Sequence, residues 1–131
     1  MRTSLNLVRT GGAINAFFVL FHLLLAWKFH GLTQAPVGLR VMLEIFNGCG
    51  SLSIIFLAVV GLAFPREAIA TAIGRFTLLL GAGIYVFRAV LEYALSPSPS
   101  PVIAAVCLLT GAVYVAAIVS AHASTQLQAA N

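Results

Sequence analysis

"GRFTLLLGAGIYVFRAVLEYAL", residues 74–95, is the stretch on which the fold turns. A hydrocarbon core of about 30 Å takes roughly 20 apolar residues in an α-helix, and this run is long enough to supply them. Yet it holds Arg88 and Glu92. A charge in hydrocarbon costs at least about 2.5–3.5 kcal/mol, so the face carrying these two residues has to turn away from lipid and toward other helices. One span that needs an interior implies a bundle.

The rest of the chain supplies it. Three more apolar runs, over residues 11–29, 40–64 and 102–121, leave little outside the spans. With 131 residues, 61% of them apolar and 8% charged, the composition excludes a soluble single domain. The expectation is an all-α fold, a transmembrane four-helix bundle forming one domain over residues 1–131. The first run is followed by "WKFHGL" (27–32) rather than by the small residues a signal peptidase needs, so it reads as a retained helix. Four spans put both termini on one side. Arg2, Arg9, Arg66 and Arg75 fall on that side, against Lys28 and Arg40 on the other, which predicts cytoplasmic termini. The net charge of +4 then reflects topology, and no soluble basic face is left to meet nucleic acid.

Short loops mark the boundaries. "LTQAPVG" (32–38) ends the first hairpin, "FPRE" (64–67) predicts a tight turn, and "SPSPSP" (96–101) predicts an extended link. "STQLQAAN" (124–131) reads as a polar tail. "GCG" (48–50), "GAG" (81–83) and Gly111 predict places where helix backbones approach closely, and Trp27, Phe29 and Tyr93 suit an aromatic belt. Cys49 and Cys107 stand alone in sequence without a C-x-x-C or a neighbouring histidine, and read as small apolar packers.

Counting 1.5 Å per residue from Arg75 and Arg9 puts Arg88 and His22 each about 20 Å in, with Glu92 at about 25 Å. Glu44 and Asn47 come out at a similar or slightly shallower level of the far half. Arg88 and Glu92 are four residues apart, and Glu44 and Asn47 three, so each pair lies on one helical face. The second and third spans are expected to pack antiparallel and bring these faces together. Two readings stay open for the cluster: a neutral Arg–Glu network that fixes helix register, or a polar pocket for a ligand. His22 has the same ambiguity between interhelical hydrogen bonding and ligation, and Asn15, seven residues earlier on the same face, favours packing. "FHLLLAW" (21–27) parallels "FRAVLEY" (87–93), each polar residue standing thirteen places after an arginine. That pattern predicts a parallel repeat of two hairpins with His22 and Arg88 across a shared interior.

"LVRTGGAINAFFVLFHLLLAWKF" (7–29) with "GRFTLLLGAGIYVFRAVLEY" (74–93) resembles a widespread family of small uncharacterised bacterial four-helix membrane proteins. Arg9, Gly11, Gly12, Asn15, Phe21, His22, Gly74, Arg75 and Arg88 carry the resemblance. "LEIFNGCGSLSIIFLAVVGL" (43–62) is similar to the second helix of DoxX-like membrane proteins through Glu44, Gly48 and Gly50. The first resemblance implies a four-helix bundle in a bacterial inner membrane; the second implies a link with redox complexes and quinone-side chemistry.

The functional expectation is a non-enzymatic membrane subunit or binder of a small amphiphile, a quinone or a lipid, at His22, Asn47, Arg88 and Glu92, with Glu44 at the margin. One rival is a redox-complex component in which His22 ligates a porphyrin or a metal. Another is an oligomeric transporter or channel, since so few polar residues line a wet path only in an assembly. No nucleophile–base pair is visible. Membrane lipids, a larger membrane complex or further copies of the chain are the expected partners.

Overall fold

A computed structural model describes residues 1–129, so the last two residues of the expected polar tail lie outside the described part. The chain runs α1 (Arg2–His30), α2 (Val37–Ala63), α3 (Pro65–Ala70), α4 (Ala72–Leu95) and α5 (Pro101–Ala129), with no strand among the described residues. α1, α2, α4 and the Pro101–Ser124 part of α5 are each long and apolar enough to cross a membrane, the architecture of a multi-pass helical membrane protein. Its surface agrees. Large apolar side chains such as Phe17, Leu52, Phe76 and Val102 are exposed around the whole bundle, the inverse of a water-facing protein.

The helix ends follow from local chemistry. Pro36 precedes α2, and Pro101 opens α5, where its missing N–H is not needed. Ser100 stands just before α5, its hydroxyl accepting from the Ile103 N–H at 3.4 Å. The turn expected at "FPRE" is a further short helix. Pro65 begins α3, and Thr71 caps α4 by accepting the Gly74 N–H at 2.9 Å. Arg75 then donates to the carbonyls of Ile69 and Ala70 at 3.0 and 3.2 Å, closing the C-terminal end of α3. A side chain at Gly74 would strike the backbone of Glu67 and Ala68, so this corner requires glycine.

Two hairpins make up the molecule. α1 packs along α2, α4 packs along α5, and the hairpins meet through α1 and α5. Both ends of the chain lie at the same end of the bundle, where the Met1 amino group donates to Ser124 Oγ at 3.1 Å. The expected α2–α4 pairing is not the main one. These helices stand apart over most of their length and touch where Leu57 rests against Gly81. α3 is the physical reason: it stands between α2 and α4 in the chain and packs against all four long helices.

Small residues set the close contacts. Gly12 and Gly61 cross backbone to backbone, and a Cβ on Gly61 would come within 2.7 Å of the Gly12 Cα. Gly111 lies against the Ala82 carbonyl, and Ala82, Ala89, Ala104 and Ala117 line the α4–α5 seam and the core behind it. Of the glycines read from sequence as contact points, Gly50, Gly81 and Gly111 do meet neighbours, whereas Gly48 and Gly83 face open space. The buried core also holds a polar knot. Asn15, fully buried, donates to the Gly11 carbonyl at 2.7 Å and to the Tyr114 hydroxyl, and accepts from the Tyr85 hydroxyl at 2.6 Å. It ties α1, α4 and α5 together.

Candidate functional site

The gap between α2 and α4 opens into a cavity of about 580 Å³. All four long helices contribute to it: Phe18, His22 and Phe29 from α1, Ile54 from α2, Tyr85 and Arg88 from α4, Cys107 from α5. A second space of about 310 Å³, walled by Leu52, Phe56, Thr77 and Leu80, lies between α2 and α4 nearer α3. Ser53, Leu57 and Ile84 line both spaces. From Thr77 to Arg88 the two spaces run about 17 Å along α4, slightly more than half a hydrocarbon core.

Arg88 and Glu92 form the charged centre. The Arg88 Nη2 donates to Glu92 Oε2 at 2.8 Å, one helical turn on. Glu92 is buried, and its Oε1 accepts the Ser100 N–H at 2.9 Å, so the carboxylate also pins the start of α5. The Arg88 side chain, by contrast, is 48% exposed and borders the cavity. The pair thus has a fixed anion and an accessible cation.

His22 approaches from the other hairpin. Its ring lies over Gly50, which leaves room for it because a Cβ there would come within 3.3 Å of the imidazole. Its Nδ1 is buried and has no hydrogen-bond partner. Asn47, one turn from Gly50, donates its Nδ2 to the His22 carbonyl at 3.0 Å and leaves its own Oδ1 unpartnered. Asn47 therefore fixes the backbone that carries the imidazole without lining the cavity.

The structure brings His22 and Arg88 to one cavity and separates the other expected members from it. Glu92 supports Arg88 from behind, Asn47 supports His22, and Glu44 lies elsewhere, its Oε1 facing His30 Nδ1 at 3.5 Å. Glu44 and Asn47 do not reach Arg88 because α2 faces α1 rather than α4. Phe29, assigned to an outer aromatic belt, lines the cavity, while Trp27, 74% exposed, and Tyr93 face outward. Cys107 is buried at the cavity wall and Cys49 is exposed; neither is in a disulfide. Among the described residues no group of histidine, cysteine and acidic side chains is arranged to hold a metal ion.

Tyr85 and Ser53 carry no signal singled out in the sequence, Cys107 reads there as an apolar packer rather than a cavity wall, and Ser100 as part of an extended link. Tyr85 stands three residues before Arg88 on the same helical face, a spacing that was there to be read. Nothing in the sequence ties Ser100 to Glu92, because that contact crosses a loop.

The chain matches no protein-family model, no curated protein and no solved structure.

Proposed function

We propose that the protein is a non-enzymatic binder, or ligand-holding membrane subunit, for a small amphiphile whose head lies between Arg88 and His22. The supporting observation is the cavity: apolar walls, two polar groups converging from separate hairpins, and a lateral opening between α2 and α4. Pockets for small ligands have this composition, mostly apolar with a few placed polar groups. The tail of the ligand lies along Leu52, Phe56 and Leu80, and the molecule is exchanged sideways with the bilayer through the α2–α4 gap. A quinone or a lipid fits such a site. We place the chain in a bacterial inner membrane with both termini cytoplasmic, on the balance of Arg2, Arg9, Arg66 and Arg75 against Lys28 and Arg40.

Organic extraction of the purified protein followed by mass spectrometry tests this reading. A defined amphiphile present at about one per chain is expected; bulk phospholipid alone counts against it. Ser53 lines both spaces, so Ser53→Trp places an indole between head and tail positions and should remove the amphiphile while leaving the melting temperature close to wild type. Retention of the amphiphile by Ser53→Trp would overturn the lateral route.

A second reading draws on the place of His22 in the cavity wall: the imidazole as sole protein ligand to a porphyrin, in a redox complex. A Soret band in the absorbance spectrum would favour it, and a colourless protein would remove it.

A further inference from the structure

We propose that the head group held in this cavity is uncharged and bears a carbonyl acceptor, and that carboxylate and phosphate heads are rejected. This rests on the amphiphile-binding reading above. An arginine bordering a cavity suggests an anion at first sight, but the surroundings of Arg88 point the other way. Its charge is already matched by Glu92 at 2.8 Å. That carboxylate is buried and tethered through Oε1 to the Ser100 N–H, so it cannot swing aside and yield Arg88 to a second anion.

Among the residues lining the cavity, Arg88 is the single lysine or arginine, and His22 is the other nitrogen base. An incoming carboxylate would therefore leave the group of ligand, Arg88 and Glu92 with a net negative charge between apolar walls, where an uncompensated charge is strongly disfavoured. A carbonyl oxygen avoids this. A guanidinium has five N–H donors, more than one carboxylate occupies, so Arg88 can donate to a neutral acceptor while keeping its pair with Glu92. Arg88 lines the cavity and its side chain is only half covered, so Glu92 does not enclose the guanidinium. The rings of Phe18, Phe21, Phe29 and Tyr85 around the space suit a flat head attached to such a carbonyl.

The test compares an alkyl-benzoate anion with its methyl ester, which keeps the ring, the tail and the carbonyl, removes the charge and adds one methyl group. Binding to the full-length protein in detergent is measured by equilibrium dialysis at about pH 8, above the ordinary imidazole range. The ester is expected to bind at least about tenfold more tightly, a difference of about 1.4 kcal/mol. In Glu92→Gln the amide oxygen can still accept from Ser100 while Arg88 loses its counter-charge, so the preference should reverse toward the anion. Equal or tighter binding of the anion by the wild-type protein would overturn the inference and leave the amphiphile reading standing. If neither probe binds, both fall. A folded Glu92→Gln that keeps the ester preference would also overturn it; if that variant does not fold, the wild-type comparison alone decides.

Discussion

Asn15 joins three helices without carrying a charge. It satisfies two tyrosine hydroxyls and a backbone carbonyl at a point where three helices meet and no water reaches. Asn15→Leu strands both hydroxyls, and should lower stability by about 2 kcal/mol, whereas Tyr114→Phe, which leaves Asn15 its other partners, should cost less than about 1 kcal/mol. Thermal unfolding in detergent checks the order; a larger loss in Tyr114→Phe would mean that the network is held from α5 rather than from α1. Arg88 and Glu92 obey a different rule, because removing one charge abandons the other. Glu92→Leu should melt several degrees below the Arg88→Leu/Glu92→Leu double variant, since the double variant leaves no unpaired cation. Equal melting of the two would show that Arg88 is stabilised by water or lipid head groups instead. That Arg88 needs Glu92 was legible from their spacing of four. That Glu92 also holds Ser100 was not, because a backbone N–H is the same in every sequence and only the path of the loop brings this one near.

Among the elements, the spans were legible and their partners were not. Hydropathy and length mark each span, but lipid is as apolar as leucine, so an apolar helix face carries no statement of which helix it meets. The short helix Pro65–Ala70 illustrates the difficulty: a proline within "FPRE" is compatible with a turn or with the first residue of a helix, and the choice decides whether α4 lies beside α2 or one position further away. Close crossings also escape the pattern, since glycines occur both where backbones touch and where nothing does. Gly61→Ala forces a Cβ against the Gly12 backbone, and should destabilise by about 1–3 kcal/mol. Gly48→Ala meets open space and should be neutral, or more stable by up to about 1 kcal/mol through helix propensity. Melting curves of the two variants separate these cases, and a harmless Gly61→Ala would remove the α1–α2 crossing as described.

For the whole molecule, the meeting of two hairpins along α1 and α5 bears on gene order. The amino group of Met1 is bonded near the far end of the chain, at Ser124, and the only covalent tie between the hairpins is the short Phe64–Thr71 segment at that same end of the bundle. Chain ends that lie close together can be joined, and a chain can be opened at a surface connection, without altering the packed structure. The order of the hairpins along the polypeptide is therefore separable from their arrangement in space. A permuted chain, starting at α4, running through α5 and a flexible linker into α1 and ending after α2 and α3, keeps every helix in its original direction and its ends on the original side. It should yield a folded protein with the same far-ultraviolet circular dichroism, less stable because α3 has lost one of its two covalent attachments. Failure of this permutant to accumulate in membranes, while a linker-extended chain in the native order does so, would show that the Phe64–Thr71 connection dictates assembly. Success would mean that each hairpin is a cassette whose place in the order of the gene is interchangeable.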